Sequence, residues 1–267
     1  MAETRSVVVT GAYGGMGRAA SLLLASRGFR VYALDLSVLP PEENIVPLQC
    51  DVTDGDAVAR CFEAISRETD SLFALIHFAG IYMLDSLAEM ETGDFRRIFE
   101  INVTGAHTVN RVFMPLLKKG SRIIMTTSEL APLSPLPFTG IYAVTKSALD
   151  KYAFSLRMEL QLLDIRVSVI RAGAVSTGML GVSTAALDRF CRETRLYACN
   201  AVRFKKIVDS VEARSVPPEK IGEKALKILG KKNPKFAYRL NRNPLLLLLN
   251  ALPPALQFWV IKQVLKP

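Results

Sequence analysis

The chain is poor in the side chains that most often carry chemistry. It has two histidines, His77 and His107, each alone in an apolar stretch, where a core or near-core position is expected. Metal-assisted hydrolysis and serine acyl transfer need a histidine base or a ligand set, and neither can be assembled here. The four cysteines, Cys50, Cys61, Cys191 and Cys199, form no C-x-x-C pair and lack a neighbouring histidine, which excludes a zinc site and leaves reduced, partly buried thiols. No apolar run reaches the roughly 20 residues a bilayer-spanning helix needs. The start, Met1 to Ser6, leads straight into Val7-Val8-Val9 with no apolar signal region, so a cytoplasmic location is expected. No repeat, low-complexity block or linker divides the 267 residues, and one domain is expected.

What is present is a large core and an uneven charge. Hydrophobic residues make up 50% of the chain, which excludes a disordered protein. Net charge is +9, but Asn200 to Pro267 alone holds 14 Lys or Arg against 4 Asp or Glu, so the rest is close to neutral. That asymmetry points to an acidic partner, an anionic surface or a solvated basic face near the C-terminal part.

Apolar, β-branched runs alternate with helical patterns. Strands are predicted at Val7–Thr10, Arg30–Leu34, Val46–Cys50, Leu72–Phe78, Arg122–Thr126 and Arg166–Ile170, with a last one near Phe236–Leu240. Helices are predicted over Met16–Ser26, Asp54–Arg67, Thr92–Leu117 and Ile141–Leu163. The order implies a doubly wound α/β domain, a parallel sheet of about seven strands covered on both faces. Between Thr177 and Val216-Pro217-Pro218 the alternation stops for a helical excursion.

Thr10-Gly11-Ala12-Tyr13-Gly14-Gly15-Met16-Gly17 follows the first strand and opens the first helix. There glycines let the backbone turn and approach a pyrophosphate, and the helix N-terminus attracts its charge. Asp35 ends the second strand, where a carboxylate accepts hydrogen bonds from ribose hydroxyls and repels a 2′-phosphate. No cation occupies Ala12, Tyr13 or Leu36, so NAD is expected rather than NADP. Asp51 and Val52, after the third strand, suit adenine, although an aspartate at a helix start would look the same. Tyr142 and Lys146, four apart on a helix, share a face, so the ammonium is expected to lower the phenol pKa toward working pH and make Tyr142 a general acid or base.

The glycine string together with Tyr142-Ala143-Val144-Thr145-Lys146 resembles the short-chain dehydrogenase/reductase family over nearly the whole chain. The resemblance implies a Rossmann domain, alcohol–ketone oxidoreduction with a nicotinamide cofactor, and dimers or tetramers built through the helices carrying Asn102 and Tyr142. It implies that Ser128 holds the substrate oxygen, that Lys146 also binds the nicotinamide ribose, and that Asn102 orders a relay water. Three departures accompany it. His77-Phe78-Ala79-Gly80 replaces N-N-A-G, leaving Ala79 and Gly80 for the adenosine ribose. Ala172-Gly173-Ala174-Val175-Ser176-Thr177 replaces P-G-x-x-x-T, leaving Gly173, Val175 and Thr177 for the nicotinamide end. Ser128 precedes Tyr142 by fourteen positions, one more than the family spacing, which puts Glu129 at the usual offset.

The excursion 178–216 occupies the place of a substrate lid. Its Met179, Leu180, Leu187, Phe190 and Leu196, with Pro135 to Phe138 opposite, suggest a bulky apolar alcohol such as a hydroxysteroid or retinoid. The extension 243–267, with Leu245 to Leu249 and Phe258-Trp259-Val260-Ile261, is expected to pack on the lid or another subunit, or to lie in a membrane interface. The sequence suggests neither a metal nor a nucleic acid. A 3-oxoacyl carrier protein reductase and a nucleotide-sensing protein without turnover are the alternatives.

Overall fold

The computed structural model describes residues 5–212 and 214–266, without side-chain detail for 179–183 and 210–212. Seven strands form one parallel sheet: β1 (Ser6–Thr10), β2 (Arg30–Asp35), β3 (Ile45–Gln49), β4 (Leu72–His77), β5 (Leu117–Ser128), β6 (Arg166–Ala172) and β7 (Ala237–Leu240). Their order is β3-β2-β1-β4-β5-β6-β7. The chain reverses direction of winding between β1 and β4, and ligands of such sheets bind beyond the strand C-termini at that switch point.

All five residues of β1 are buried, as a strand covered on both faces requires. One core layer joins Val8, Leu34, Leu75, Ile123, Val167 and Phe113; the other joins Val9, Ala33, Ile76, Ile124, Ile170 and Ile228. Helices α1 (Gly15–Ser26), α2 (Gly55–Ser66), α3 (Thr92–Phe99), α4 (Gly105–Phe113) and α5 (Gly140–Leu160) follow in chain order. The long helix expected over Thr92–Leu117 is interrupted by a π-helical turn at Glu100–Thr104 and ends before β5. The extra residue per turn rotates Asn102 inward, where it is buried.

The excursion comprises α6 (Gly178–Glu193) and α7 (Ala198–Glu212), and its ends are held together by a parallel bridge between Val175 and Val216. Next comes α8 (Glu219–Leu229), a helix absent from the sequence expectations although Ile221, Ala225, Ile228 and Leu229 recur at helical spacing. Its Gly222 lies against Ala19 and Ala20 of α1, close enough that a Cβ would sit 3.1 Å from the Ala19 carbonyl oxygen. The C-terminal extension forms α9 (Pro244–Asn250) and α10 (Pro254–Leu265), separated by Pro253-Pro254. No described helix is long and apolar enough to cross a membrane.

The thiols are free among the described residues: Cys50 and Cys61 are buried side by side, while Cys199 is exposed, contrary to a partly buried reading for all four. His107 is also exposed rather than near the core, edge-on to Tyr152.

Helix α5 is fixed to the sheet by a buried ion pair. Arg171 of β6 donates from Nε (2.9 Å) and Nη2 (2.7 Å) to the Asp150 carboxylate, which also accepts from Thr127 Oγ1 at 3.2 Å. Arg171→Leu would leave that carboxylate buried without its cation, and such a loss costs about 3–5 kcal/mol. Urea unfolding is expected to show a drop of that order, whereas Arg171→Leu with Asp150→Leu together should recover much of it.

Candidate active site

The glycine loop behaves as its placement predicts. Gly11 takes φ +64°, and a Cβ there would fall 2.5 Å from the Ala79 nitrogen. At Gly17 a Cβ would meet the Gly11 carbonyl oxygen at 2.0 Å, so glycine is what closes the loop onto α1. The N-terminus of α1 has no side-chain cap and no acidic residue in its first turn. Its free N–H groups and dipole form a cradle suited to a pyrophosphate, and the residues present fit a dinucleotide there.

Asp35 stands at the rim of this loop, one oxygen accepting from Tyr13 N and the other from Leu36 N, both at 2.8 Å. Sequence reasoning missed Arg18, which the first turn of α1 brings over the Tyr13 ring. Its guanidinium is taken by Glu42 at 2.6 Å. Asp51 is turned away from a purely ligand-facing role: its Oδ1 accepts from Thr53 N and Thr53 Oγ1, while Asp54 caps α2. Val52 is buried against Gly105.

His77, standing where the family has asparagine, is buried and paired through Nε2 with Asn110 Oδ1 at 2.9 Å, and Asn110 reaches Tyr152 in turn. Burial lowers its pKa to about 4, so it is neutral. Ala79 N donates to Thr10 Oγ1, tying β4 to the glycine loop. Beyond it Gly80 leaves room beside Asn102 and Lys146: a Cβ there would sit 3.0 Å from Asn102 Oδ1 and 3.4 Å from Lys146 Nζ. Asn102 accepts from Ile81 N (2.8 Å) and donates to Ile81 O (3.0 Å) and Thr145 Oγ1 (3.2 Å), joining the π-turn, the exit of β4 and α5.

Ser128 ends β5 and lines the same cavity as Tyr142, near enough for its hydroxyl to lower the phenol pKa. The structure therefore pairs Tyr142 with Ser128 despite the spacing of fourteen, the extra residue being absorbed in the 129–139 loop. The expected pKa effect is reversed. Burial and the neighbouring Tyr82, whose ring lies 4.8 Å away, raise the Tyr142 pKa above its ordinary value, and the Ser128 hydroxyl opposes them. Lys146 does not lower it because burial depresses the ammonium itself to about 8. Its Nζ, 5.7 Å from the Tyr142 ring centre, donates to Thr126 O.

On the far side, Thr177 packs its Cγ2 where a Cβ on Gly15 would be, 2.7 Å away, so the loop 173–177 meets the start of α1. Gly173 is required by the close approach of the chain after β7, since a Cβ would collide with the Asn241 carbonyl oxygen at 1.9 Å.

A cavity of about 520 Å³ opens on Ser128, Tyr142 and Lys146. The lid contributes differently from expectation. Leu187 and Phe190 form the lid's own core with Phe204 and Leu84, Leu196 is exposed, and the Met179 and Leu180 side chains lie outside the described residues. The wall comes from Phe204, Ile207 and Val208 of α7, from Leu136 and Pro137, and from α9 and α10. Leu246, Leu249, Val260 and Ile261 face inward, and the extension is tied down by Asn250 Oδ1 accepting from Ser134 N at 2.6 Å and Asn200 Nδ2 donating to Leu265 O at 2.6 Å.

A parallel sheet with a glycine-loop cradle at its switch point defines a Rossmann-type scaffold suited to a dinucleotide. The chain belongs to the short chain dehydrogenase family, whose model matches residues 5–188. It is 26% identical over 238 residues to the 3-ketodihydrosphingosine reductase of Bacteroides thetaiotaomicron, covering 88% of this chain and 87% of that one. It is 27% identical over 236 residues to mouse estradiol 17-beta-dehydrogenase 2, covering 80% of this chain and 62% of that one. A short-chain dehydrogenase from Streptomyces avermitilis has the same fold, with a TM-score of 0.77 at 18% identity over 99% of this chain and 94% of its own.

The depressed Lys146 pKa has a stability consequence. The unfolded chain binds a proton here up to about pH 10.4, the folded chain only up to about 8, so this lysine weakens folding at neutral pH and the penalty fades as pH rises through that interval. The urea midpoint of the cofactor-free protein is expected to gain between pH 8 and 10 relative to that of Lys146→Met.

Proposed function

We propose that the chain is an NAD-dependent oxidoreductase that interconverts a secondary alcohol and its ketone on a bulky, largely apolar substrate. The observation that carries this reading is the apolar cavity that ends on the Ser128–Tyr142 pair. A dinucleotide bound at the glycine loop supplies the hydride chemistry; every other role falls to side chains of this chain.

In this reading the uncapped start of α1, Gly14 to Gly17, takes the pyrophosphate, and Asp35 holds the adenosine ribose hydroxyls. Glu42 neutralises Arg18, the one cation brought near Tyr13 among the described residues, which supports NAD over NADP. Tyr13 and Met16 shape the loop; Asp51 and Val52 border the adenine end, and Ala79 and Gly80 the adenosine ribose. Gly173, Val175 and Thr177 border the nicotinamide end. Ser128 holds the substrate oxygen, and Tyr142 passes a proton to or from it. The neutral phenol is the donor form, which suits a ketone accepting a proton. Lys146 hydrogen bonds the nicotinamide ribose, and Asn102 holds α5 and the β4 exit in register beside it.

Absorbance at 340 nm, read with NAD and NADP in parallel over hydroxysteroids, retinol, long-chain and short polar alcohols, tests this. Turnover of bulky apolar alcohols with NAD is expected, and Tyr142→Phe should lower it by about 10²–10⁴-fold. Activity confined to short polar alcohols would discard the substrate class, and an unchanged rate in Tyr142→Phe would discard the mechanism.

Peripheral contact with an anionic bilayer belongs to the same reading. Leu248, Leu256, Phe258 and Trp259 are exposed on α9 and α10, with Phe258 73% exposed, and Arg242, Lys262 and Lys266 are exposed beside them. These are the helices whose inner faces wall the cavity. The native protein is expected to float with anionic liposomes and Phe258→Ser/Trp259→Ser to remain below; a native protein that does not float overturns the contact.

A further inference from the structure

Glu129 follows Ser128 at the end of β5, and its main-chain N–H continues the sheet by donating to Ala172 O at 2.9 Å. The residue is 9% exposed, and it is the one carboxylate among the described residues lining the cavity that contains Ser128 and Tyr142. Oε2 accepts from Asn243 N at 2.7 Å. Oε1 has no hydrogen-bond partner among the described residues, and no cation there lies within ion-pairing distance of the carboxylate. Glu129 also borders a small cleft that Arg214 and Arg242 line, and the Arg242 charge opposes, by less, the burial that pushes the Glu129 pKa up.

A packing role does not account for this arrangement. Helix α9 is capped by its own residue, Asn243 Oδ1 accepting from Leu245 N at 2.9 Å, so the carboxylate is not needed to start it. Space has been left for Oε1: a Cβ on Gly173 would approach it to 2.9 Å. Oε1 retains access to solvent at the cavity lining, and in that largely apolar surround a donor, best a charged one, would complete it. The surrounding wall, from Leu136 to Ile261, is largely apolar, and among the described residues Lys146 is the one Lys or Arg that lines it.

We propose that Glu129 Oε1 is a binding subsite for a protonated amine carried beside the reacting carbon, so that the preferred substrate is an amino alcohol or amino ketone with an apolar tail. The inference rests on the proposed reaction only in placing the reacting carbon at Ser128 and Tyr142. The ammonium meets the carboxylate at the polar end, and the tail fills the wall of α7, α9 and α10.

The test is calorimetric binding of three probes to the full chain with NAD present: 1-amino-2-decanol, 1,2-decanediol and 2-decanol, with NADH formation read on the same samples. A charged hydrogen bond predicts that the native protein binds the amine about tenfold or more tighter than 2-decanol. Glu129→Gln keeps an acceptor for Asn243 N and turns an NH2 group to the cavity, so it should reduce that preference to about threefold or less. No preference in the native protein, a preference that survives in Glu129→Gln, or tighter binding of the diol than the amine would each overturn the subsite. The native comparison decides even if the variant does not fold. Discrimination in binding without NADH from any probe would sink the proposed reaction and leave the subsite; NADH without discrimination would do the reverse.

Discussion

The strongest of the ties that place helix α5 on the sheet is the fork of Arg171 closing on the buried Asp150 carboxylate. A helix lying on a parallel sheet is free to slide and roll by small amounts, because apolar contact is non-directional. The two-bond geometry of guanidinium on carboxylate removes that freedom, and Thr127 adds a third bond from the residue immediately before Ser128. About one and two turns earlier on the same helix stand Lys146 and Tyr142. The Asp150 carboxylate thus ties α5, which carries Tyr142, to the residue that precedes Ser128 on β5.

Burial then sets the electrostatics. In this cavity both Tyr142 and Lys146 are pushed toward their neutral forms, the reverse of what two residues on an exposed helix face would do. Proximity along a helix was readable from the spacing of four, but the sign of the pKa effect depends on what covers the pair. The cover is Tyr82 and the C-terminal helices, which come from distant parts of the chain.

That division explains what could be read from residues alone. The strands were legible because each is a β-branched run buried on both faces, and the glycine loop because a strand end and a helix start bracket it. The π-turn at Glu100–Thr104 was not, since nothing in Glu-Ile-Asn-Val-Thr departs from an ordinary helical pattern; the backbone bond from Gly105 N to Glu100 O marks it, and Asn102 is then bonded to Ile81 and Thr145. Arg18 escaped notice because it is one turn into α1, and its partner Glu42 lies in a loop 24 residues on. The lid was assigned the cavity wall because Leu187 and Phe190 are large and apolar. They are spent on the lid's own packing around Phe138 and Phe204, and the wall is shared between α7 of the lid and an extension whose apolar run left its destination open.

The wall supplied by α9 and α10 separates two kinds of constraint on the molecule. Residues that would handle the nucleotide lie at the switch point between β1 and β4 and are locked by backbone approaches as close as those at Gly11 and Gly17. Residues that shape the chamber's far side belong to two short helices joined to the sheet through Asn241 to Asn243 and a few side-chain ties. Changes of size and shape at Leu246, Leu249 or Val260 would remodel the chamber without disturbing the loop or the serine–tyrosine pair, so substrate range can drift across descendants of this scaffold while its redox machinery stays the same.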